Sequence, residues 1–256
     1  MKNIIRLILG KYYFKAQKVY SFIFFNFRDG IKGLLVDKDR EFKIAHLQFK
    51  FPKSDLWEYG RGFVTHELAE RELVERHITS EEVILELGGS VGVVSCFINR
   101  KLSAKQNHIV VEPNPRILEY LKANRDLNNC EFLIEECIVS RSHGKISMNI
   151  YKNYKSSSVE ENTRLDGQKI EVKTQTLQDL EKKHQLKFDT VVMDIEGHEI
   201  DFIESTDLGG FKKLIIEFHP RITPHSTIAK CKETLTKNGF KSIDKISDVE
   251  VWCRRV

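Results

Sequence analysis

The stretch Val83-Ile84-Leu85-Glu86-Leu87-Gly88-Gly89-Ser90-Val91-Gly92 constrains the chain more than any other, together with Val110-Val111-Glu112-Pro113, about twenty residues further on. A short apolar run, an acid and a glycine turn are followed by Val94, Phe97, Ile98 and Leu102 at amphipathic spacing, which predicts a buried strand, a tight loop and a helix. This is the first half of a nucleotide-binding βαβ unit in an α/β fold.

Charge narrows the nucleotide. A dinucleotide fingerprint needs Gly-x-Gly-x-x-Gly so that bare backbone and a helix N-terminus can approach a pyrophosphate. In register from Gly88 this chain has Ser90 and Val93 at the other two glycine positions, and Glu86 at the strand end would repel a pyrophosphate. A ligand with an ammonium and no phosphate suits the site better, and S-adenosylmethionine is one. The loop residues Gly88, Gly89, Ser90 and Gly92 would let backbone approach its amino-acid part, and Glu86 would hold the ammonium directly or through water. Glu112, at the end of the next strand, fits the acid that accepts two hydrogen bonds from a ribose diol. The alternative is a glycine turn in some other α/β protein.

A chain of 256 residues, 41% of them hydrophobic, supports one large α/β domain with an extension. The expected division is an N-terminal extension over 1–60 and the main domain over 61–256. A net charge of +4, spread along the chain, is far from the basic stripe of a nucleic-acid binder, so no nucleic-acid partner is expected. Five cysteines without a C-x-x-C pair indicate neither a disulfide framework nor a zinc knuckle, which fits a reducing, cytoplasmic setting.

Residues 1–30 interleave Lys2, Arg6, Lys11, Lys15, Lys18 and Arg28 with Tyr12, Tyr13, Phe14, Tyr20, Phe22, Phe24, Phe25 and Phe27. They contain no uncharged apolar run of the ~18 residues needed to span a bilayer and no signal-peptide pattern. Two readings stand side by side: peripheral contact with a membrane interface, and helices packing their aromatics on the main domain. Loose alternation at Phe42-Lys43-Ile44 and Leu47-Gln48-Phe49 suggests short strands or a hairpin before Pro52. A helix opens at Thr65-His66-Glu67 and runs to about His77. From it His66, Glu67 and Glu70 would reach the mouth of a site, or form an ordinary solvated helix start.

After Glu112 a helix is predicted over 114–127, a strand over 131–136 and another over 145–151. Glu136, Cys137 and Ile138 fall where an adenine ring would rest. A polar loop over 152–168, with Ser156-Ser157-Ser158, separates these from a strand over 170–174 and a helix over 177–184. Phe188-Asp189-Thr190-Val191-Val192-Met193-Asp194-Ile195-Glu196-Gly197-His198-Glu199 predicts a buried parallel strand that delivers carboxylates to its carboxyl end, the edge where open α/β sheets bind ligands. In Leu214-Ile215-Ile216-Glu217-Phe218-His219, alternation puts Glu217 and His219 on one face. Segments 242–246 and 250–253 predict a closing antiparallel hairpin.

In these pieces the chain resembles the FkbM family of S-adenosylmethionine-dependent methyltransferases, from about Glu67 to His219. The likeness rests on Glu86-Leu87-Gly88-Gly89-Ser90-Val91-Gly92, Val111-Glu112-Pro113-Asn114-Pro115 and Ser157-Ser158-Val159. It continues through Val172-Lys173-Thr174-Gln175-Thr176-Leu177, Asp194-Ile195-Glu196-Gly197-His198-Glu199 and Ile216-Glu217-Phe218-His219. The family more often has Asp at Glu86, Asn at Ser90 and Lys at Met193. The resemblance implies a class I Rossmann-like fold: a seven-stranded, mostly parallel sheet with helices on both faces, plus the extension. It implies S-adenosyl-L-methionine as cofactor, with Asn114, Glu136, Cys137 and Asp194 joining the contacts above. The reaction implied is O-methylation of a hydroxyl group, on a sugar of a glycan, glycolipid or glycosylated metabolite.

Methyl transfer from a sulfonium is an in-line displacement, and a sugar hydroxyl is a very weak acid, so a base or a cation must ease removal of its proton. Asp194, Glu196 and His219 are the candidate catalytic residues. A histidine base, or a role shared between a carboxylate and the histidine, is favoured over a divalent metal held by Asp194, Glu196 and Glu217, because no spacing dictates a metal site. A nucleic-acid methyltransferase and a non-catalytic S-adenosylmethionine-binding module are the alternatives. Base-amino methylation usually shows an Asn/Asp-Pro-Pro-aromatic tip where this chain has Asp194-Ile195-Glu196-Gly197.

Overall fold

The computed structural model describes residues 40–52, 67–151 and 167–254. The basic and aromatic stretch 1–30, His66 and the serine run Ser156-Ser157-Ser158 lie outside the described residues. The chain divides into two compact units, Met1–His66 and Glu67–Val256.

In the first unit, strands β1 (Arg40–Ile44) and β2 (Leu47–Phe51) form the expected antiparallel hairpin, with Ile44 opposite Leu47. Alternation along β2 buries Leu47, Phe49 and Phe51 and leaves Gln48 exposed, the period-two pattern of a half-buried strand.

The second unit begins with helix α1 (Leu68–His77), then strand β3 (Ile84–Leu87), helix α2 (Val93–Lys101), strand β4 (His108–Val111), helix α3 (Pro115–Leu127) and strand β5 (Leu133–Glu135). Pro115 at the first position of α3, and Asn114, whose side chain accepts from the Arg116 amide at 3.0 Å, fix the start of that helix. A small three-stranded sheet follows, built from β6 (Ile138–Val139), β7 (Gly144–Tyr151) and β8 (Gly167–Gln175) in the order β6-β8-β7. Helix α4 (Leu177–His184) opens with a capping box between Thr176 and Asp179. The chain then runs through β9 (Thr190–Met193), α5 (Glu199–Ser205), β10 (Lys213–Glu217), α6 (His225–Lys237), β11 (Phe240–Ile246) and β12 (Val249–Arg254).

Seven strands make the main sheet in the order β11-β12-β10-β9-β3-β4-β5. Neighbours from β10 to β5 are parallel, and β12 runs antiparallel to both β10 and β11. All four residues of β3, β4 and β9 are buried, as parallel strands covered on both faces must be. Leu85, Leu87, Val191, Met193, Leu214 and Ile216 face a core shared with α4, α5 and α6. Ile84, Val192 and Ile215 face the opposite core, with Leu73 and Val74 of α1 and Val94 and Ile98 of α2. The seven-stranded, mostly parallel sheet with helices on both faces is thus the expected one.

Several boundaries differ from expectation. The strand expected over 131–136 shortens to Leu133–Glu135, and β8 starts at Gly167, inside the loop expected over 152–168. Helix α6 was not anticipated. Its buried face is only Ile228, Cys231 and Leu235, set among polar residues that mask the period. Among the described residues no helix is long and apolar enough to cross a membrane.

Candidate active site

The chain leaves β3 through Gly88, at φ +88°, where a Cβ would lie 1.9 Å from the Asp194 carbonyl oxygen. Only glycine allows the tips of β3 and β9 to approach this closely. Gly89 and Gly92 serve packing instead: a Cβ would stand 2.3 Å from Val110 Cγ1 and 2.8 Å from Leu121 Cδ1, and neither residue lines the cavity. Ser90, at φ +47°, donates its amide to Glu112 Oε2 at 2.8 Å, and the Asn114 amide donates to Glu112 Oε1, also at 2.8 Å. Burial pushes the Glu112 carboxyl up to about 7, with the two amides holding against the rise. Each oxygen keeps a further lone pair, so the carboxylate can still accept two hydroxyls.

Gly88, Ser90, Glu112, Asn114, Cys137, Asp194, Glu196 and His219 line one cavity of about 600 Å³, within the range of small-molecule sites. Two expected contacts are corrected. Glu136 points away, half exposed, in an ion pair with Lys122 at 2.6 Å, because β5 ends before it; Cys137 and Ile138 line the cavity instead. Glu86 is buried, and its two oxygens meet Ser95 Oγ and His108 Nε2, each at 2.8 Å. It does not line the cavity and has no free face to hold an ammonium directly. It borders only a small void, shared with Glu70 and Asp194.

The acidic end of the cavity is denser than the sequence suggests. Glu67 and Glu70 of the α1 start, Asp194 and Glu196 beyond β9, and Glu217 of β10 converge there with His219. Glu67 and Glu196 sit at φ +48° and +52°, left-handed backbone rare for such residues and concentrated at functional sites. His219 Nδ1 is 3.0 Å from Glu199 Oε1. Its Nε2 is 3.2 Å from Asp194 Oδ1 and 3.7 Å from Glu196 Oε2. The Asp194 contact is an ion-pair distance without hydrogen-bond alignment, so Asp194 Oδ1 has no hydrogen-bond partner. Glu199 is fully buried and also accepts the Ile195 and Gly197 amides, at 3.3 and 3.1 Å, which shapes the Asp-x-Glu-Gly turn.

Burial opposes a charge on His219, but the Asp194 and Glu199 carboxylates beside it outweigh burial and push the imidazole up to about 11. Its proton is held far more firmly than on the expected histidine base titrating near 6.5. Burial, then the neighbouring Asp194 charge, pushes Glu217 up to about 8, and burial raises Glu70 well above the carboxylate range. Glu199 is the site residue missed in sequence, since it stood inside Asp-x-Glu-Gly-x-Glu without a role. Glu70, expected either to reach the mouth of a site or to form a solvated helix start, is buried and lines the cavity. Its burial follows from α1 packing on α2 and the sheet, which no local pattern shows.

Seven strands with one antiparallel member, and ligand-facing acids at the carboxyl ends of β4 and β9, define a class I S-adenosylmethionine-dependent methyltransferase. The methyltransferase FkbM domain matches residues 86–242, well over half of the chain, and the protein belongs to that family. No curated protein matches the chain. Among solved structures it is similar to M. jannaschii TYW2 in complex with AdoMet, at 15% identity over 87% of this chain and 90% of that one, with a TM-score of 0.42. Precorrin-6y C5,15-methyltransferase from Geobacter metallireducens gives 13% identity, 72% and 86% coverage and a TM-score of 0.45. Pyrococcus abyssi tRNA (uracil-54, C5)-methyltransferase in complex with S-adenosyl-L-homocysteine gives 12%, 85% and 44%, and 0.45. At such scores these likenesses carry nothing about the acceptor.

Proposed function

We propose that this enzyme methylates a hydroxyl oxygen of a sugar in a glycan, glycolipid or glycosylated metabolite. The observation that carries the proposal is the ring of Asp194, Glu196, Glu217 and His219 around the cavity end next to the Gly88 turn. Closely set hydrogen-bonding groups of this kind match a polyhydroxyl acceptor, whereas a cavity lined by the acids Glu67, Asp194, Glu196 and Asp201 opposes a phosphodiester chain. The bound donor supplies an electrophilic methyl group.

Glu112 would hold the ribose beside the turn after β3, and Cys137 and Ile138 the base. Asp194 and Glu196 would orient the acceptor hydroxyl and take its proton, since a protonated His219 has no free lone pair to accept it. We further propose, from the composition of residues 1–30 alone, that this segment contacts an anionic membrane surface where a lipid-linked sugar would be met. The test is mass spectrometry of glycans and glycolipids from cells with and without the gene. A methyl ether lost with the gene is expected. Unchanged sugars with a methyl group missing from RNA or DNA would overturn the proposal.

A further inference from the structure

We propose that Asp194, Glu217 and His219, with Glu70 behind them, form a binding site for one divalent cation of the Mn²⁺ class, placed to receive the acceptor hydroxyl. One ligand atom from each of Asp194, Glu217 and His219 lies within 4.8 Å of the others, delivered by two adjacent parallel strands. An octahedral ion with bonds of ~2.1 Å sets its ligands ~3 to 4.2 Å apart, a spacing these side chains reach by closing on the ion.

A cluster of acids alone would not identify a site, but two further features point inward. Glu70 is 4% exposed, lines the cavity, and its Oε2 has no hydrogen-bond partner. Asp194 Oδ1 is likewise buried and makes no aligned hydrogen bond, although His219 Nε2 stands 3.2 Å away. Orphaned buried carboxylate oxygens are costly unless a cation satisfies them. The imidazole is also set as a ligand: Glu199 holds Nδ1 at 3.0 Å, which leaves Nε2 directed at the cluster, where the ion takes the place of its proton in the carboxylate–histidine–metal arrangement. Oxygen donors with one imidazole suit Mn²⁺ better than Ca²⁺ or Mg²⁺ alone.

The role at the hydroxyl rests on the O-methylation proposed above; ion binding does not. At the ion the hydroxyl becomes more acidic and its proton passes to Glu196. The oxygen then forms the bond to the methyl carbon, and the carbon–sulfur bond breaks with its electron pair going to sulfur. The products are the methyl ether and S-adenosylhomocysteine.

The test uses the full chain, stripped with chelator and titrated with Mn²⁺ by electron paramagnetic resonance, without acceptor. One bound ion per chain is expected, with a nitrogen coupling that disappears in His219→Gln. Asp194→Asn and Glu217→Gln should each weaken Mn²⁺ at least tenfold, and Glu217→Gln should still bind S-adenosylmethionine, which shows that it is folded. Absence of a stoichiometric ion in the wild type would overturn the inference. So would Mn²⁺ retained by both carboxylate variants, or displacement of Mn²⁺ by S-adenosylmethionine, which would give the cluster to the donor's ammonium. Failure of O-methylation is read separately, as intact sugars beside intact Mn²⁺ binding, whereas methyl ether formation undiminished in chelator would sink the ion alone.

Discussion

At Glu112 two amides satisfy a buried carboxylate without using all its acceptor capacity. Removal of this charged acceptor in Glu112→Ala should cost about 2 to 3 kcal/mol of donor binding, roughly 30- to 150-fold in Kd. The sign of the pH effect follows from a carboxyl raised to about 7. Below that pH the group is protonated and accepts hydroxyls poorly; above it the carboxylate is free to accept both. Donor affinity should therefore rise with pH through about 7, and titration calorimetry should show that step reduced in Glu112→Gln. At Gly88 an added Cβ would overlap the Asp194 carbonyl oxygen and force a side chain into left-handed backbone. Gly88→Ala should lose donor binding along with at least about 1 to 3 kcal/mol of stability in urea unfolding.

The turn from β9 into α5 is the element that builds the acidic end, and Glu199 is its anchor. It accepts two turn amides and pairs with His219 from β10, so it ties the two strand ends together. Glu199→Ala would leave His219 Nδ1 and two turn amides without their acceptor, and should cost about 3 to 5 kcal/mol, read in a denaturant midpoint. At this scale legibility was uneven. β3, its glycine turn and α2 could be read because continuous apolar residues, glycines and an amphipathic period agree locally. α6 could not, and β6 is only two residues long, paired to β8 across the small sheet. Glu86 looked like a ligand contact because strand-end position is visible in sequence, whereas its partners Ser95 and His108 come from α2 and β4.

Across the whole molecule, the carboxyl ends of β3, β4, β9 and β10 bring together residues from Glu67 to His219, and this long-range convergence makes one cavity. The seven-stranded class entered as what the family resemblance implied, and that resemblance was legible because its motifs sit at strand ends and turns. The electrostatics were not, since a histidine raised to about 11 needs acids from three parts of the turn beside it. Residues 1–30 bear a separate expectation. Flotation with anionic vesicles at low salt should recover the full chain and much less of a chain lacking them, and equal recovery would assign the segment to packing. The most direct test of the central claim is calorimetric titration of the full chain with S-adenosylmethionine, its demethylated product and NAD. Saturable binding of the first two, weakened in Glu112→Ala, with none of NAD, is the predicted result; tight NAD binding, or S-adenosylmethionine binding untouched in Glu112→Ala, would contradict it.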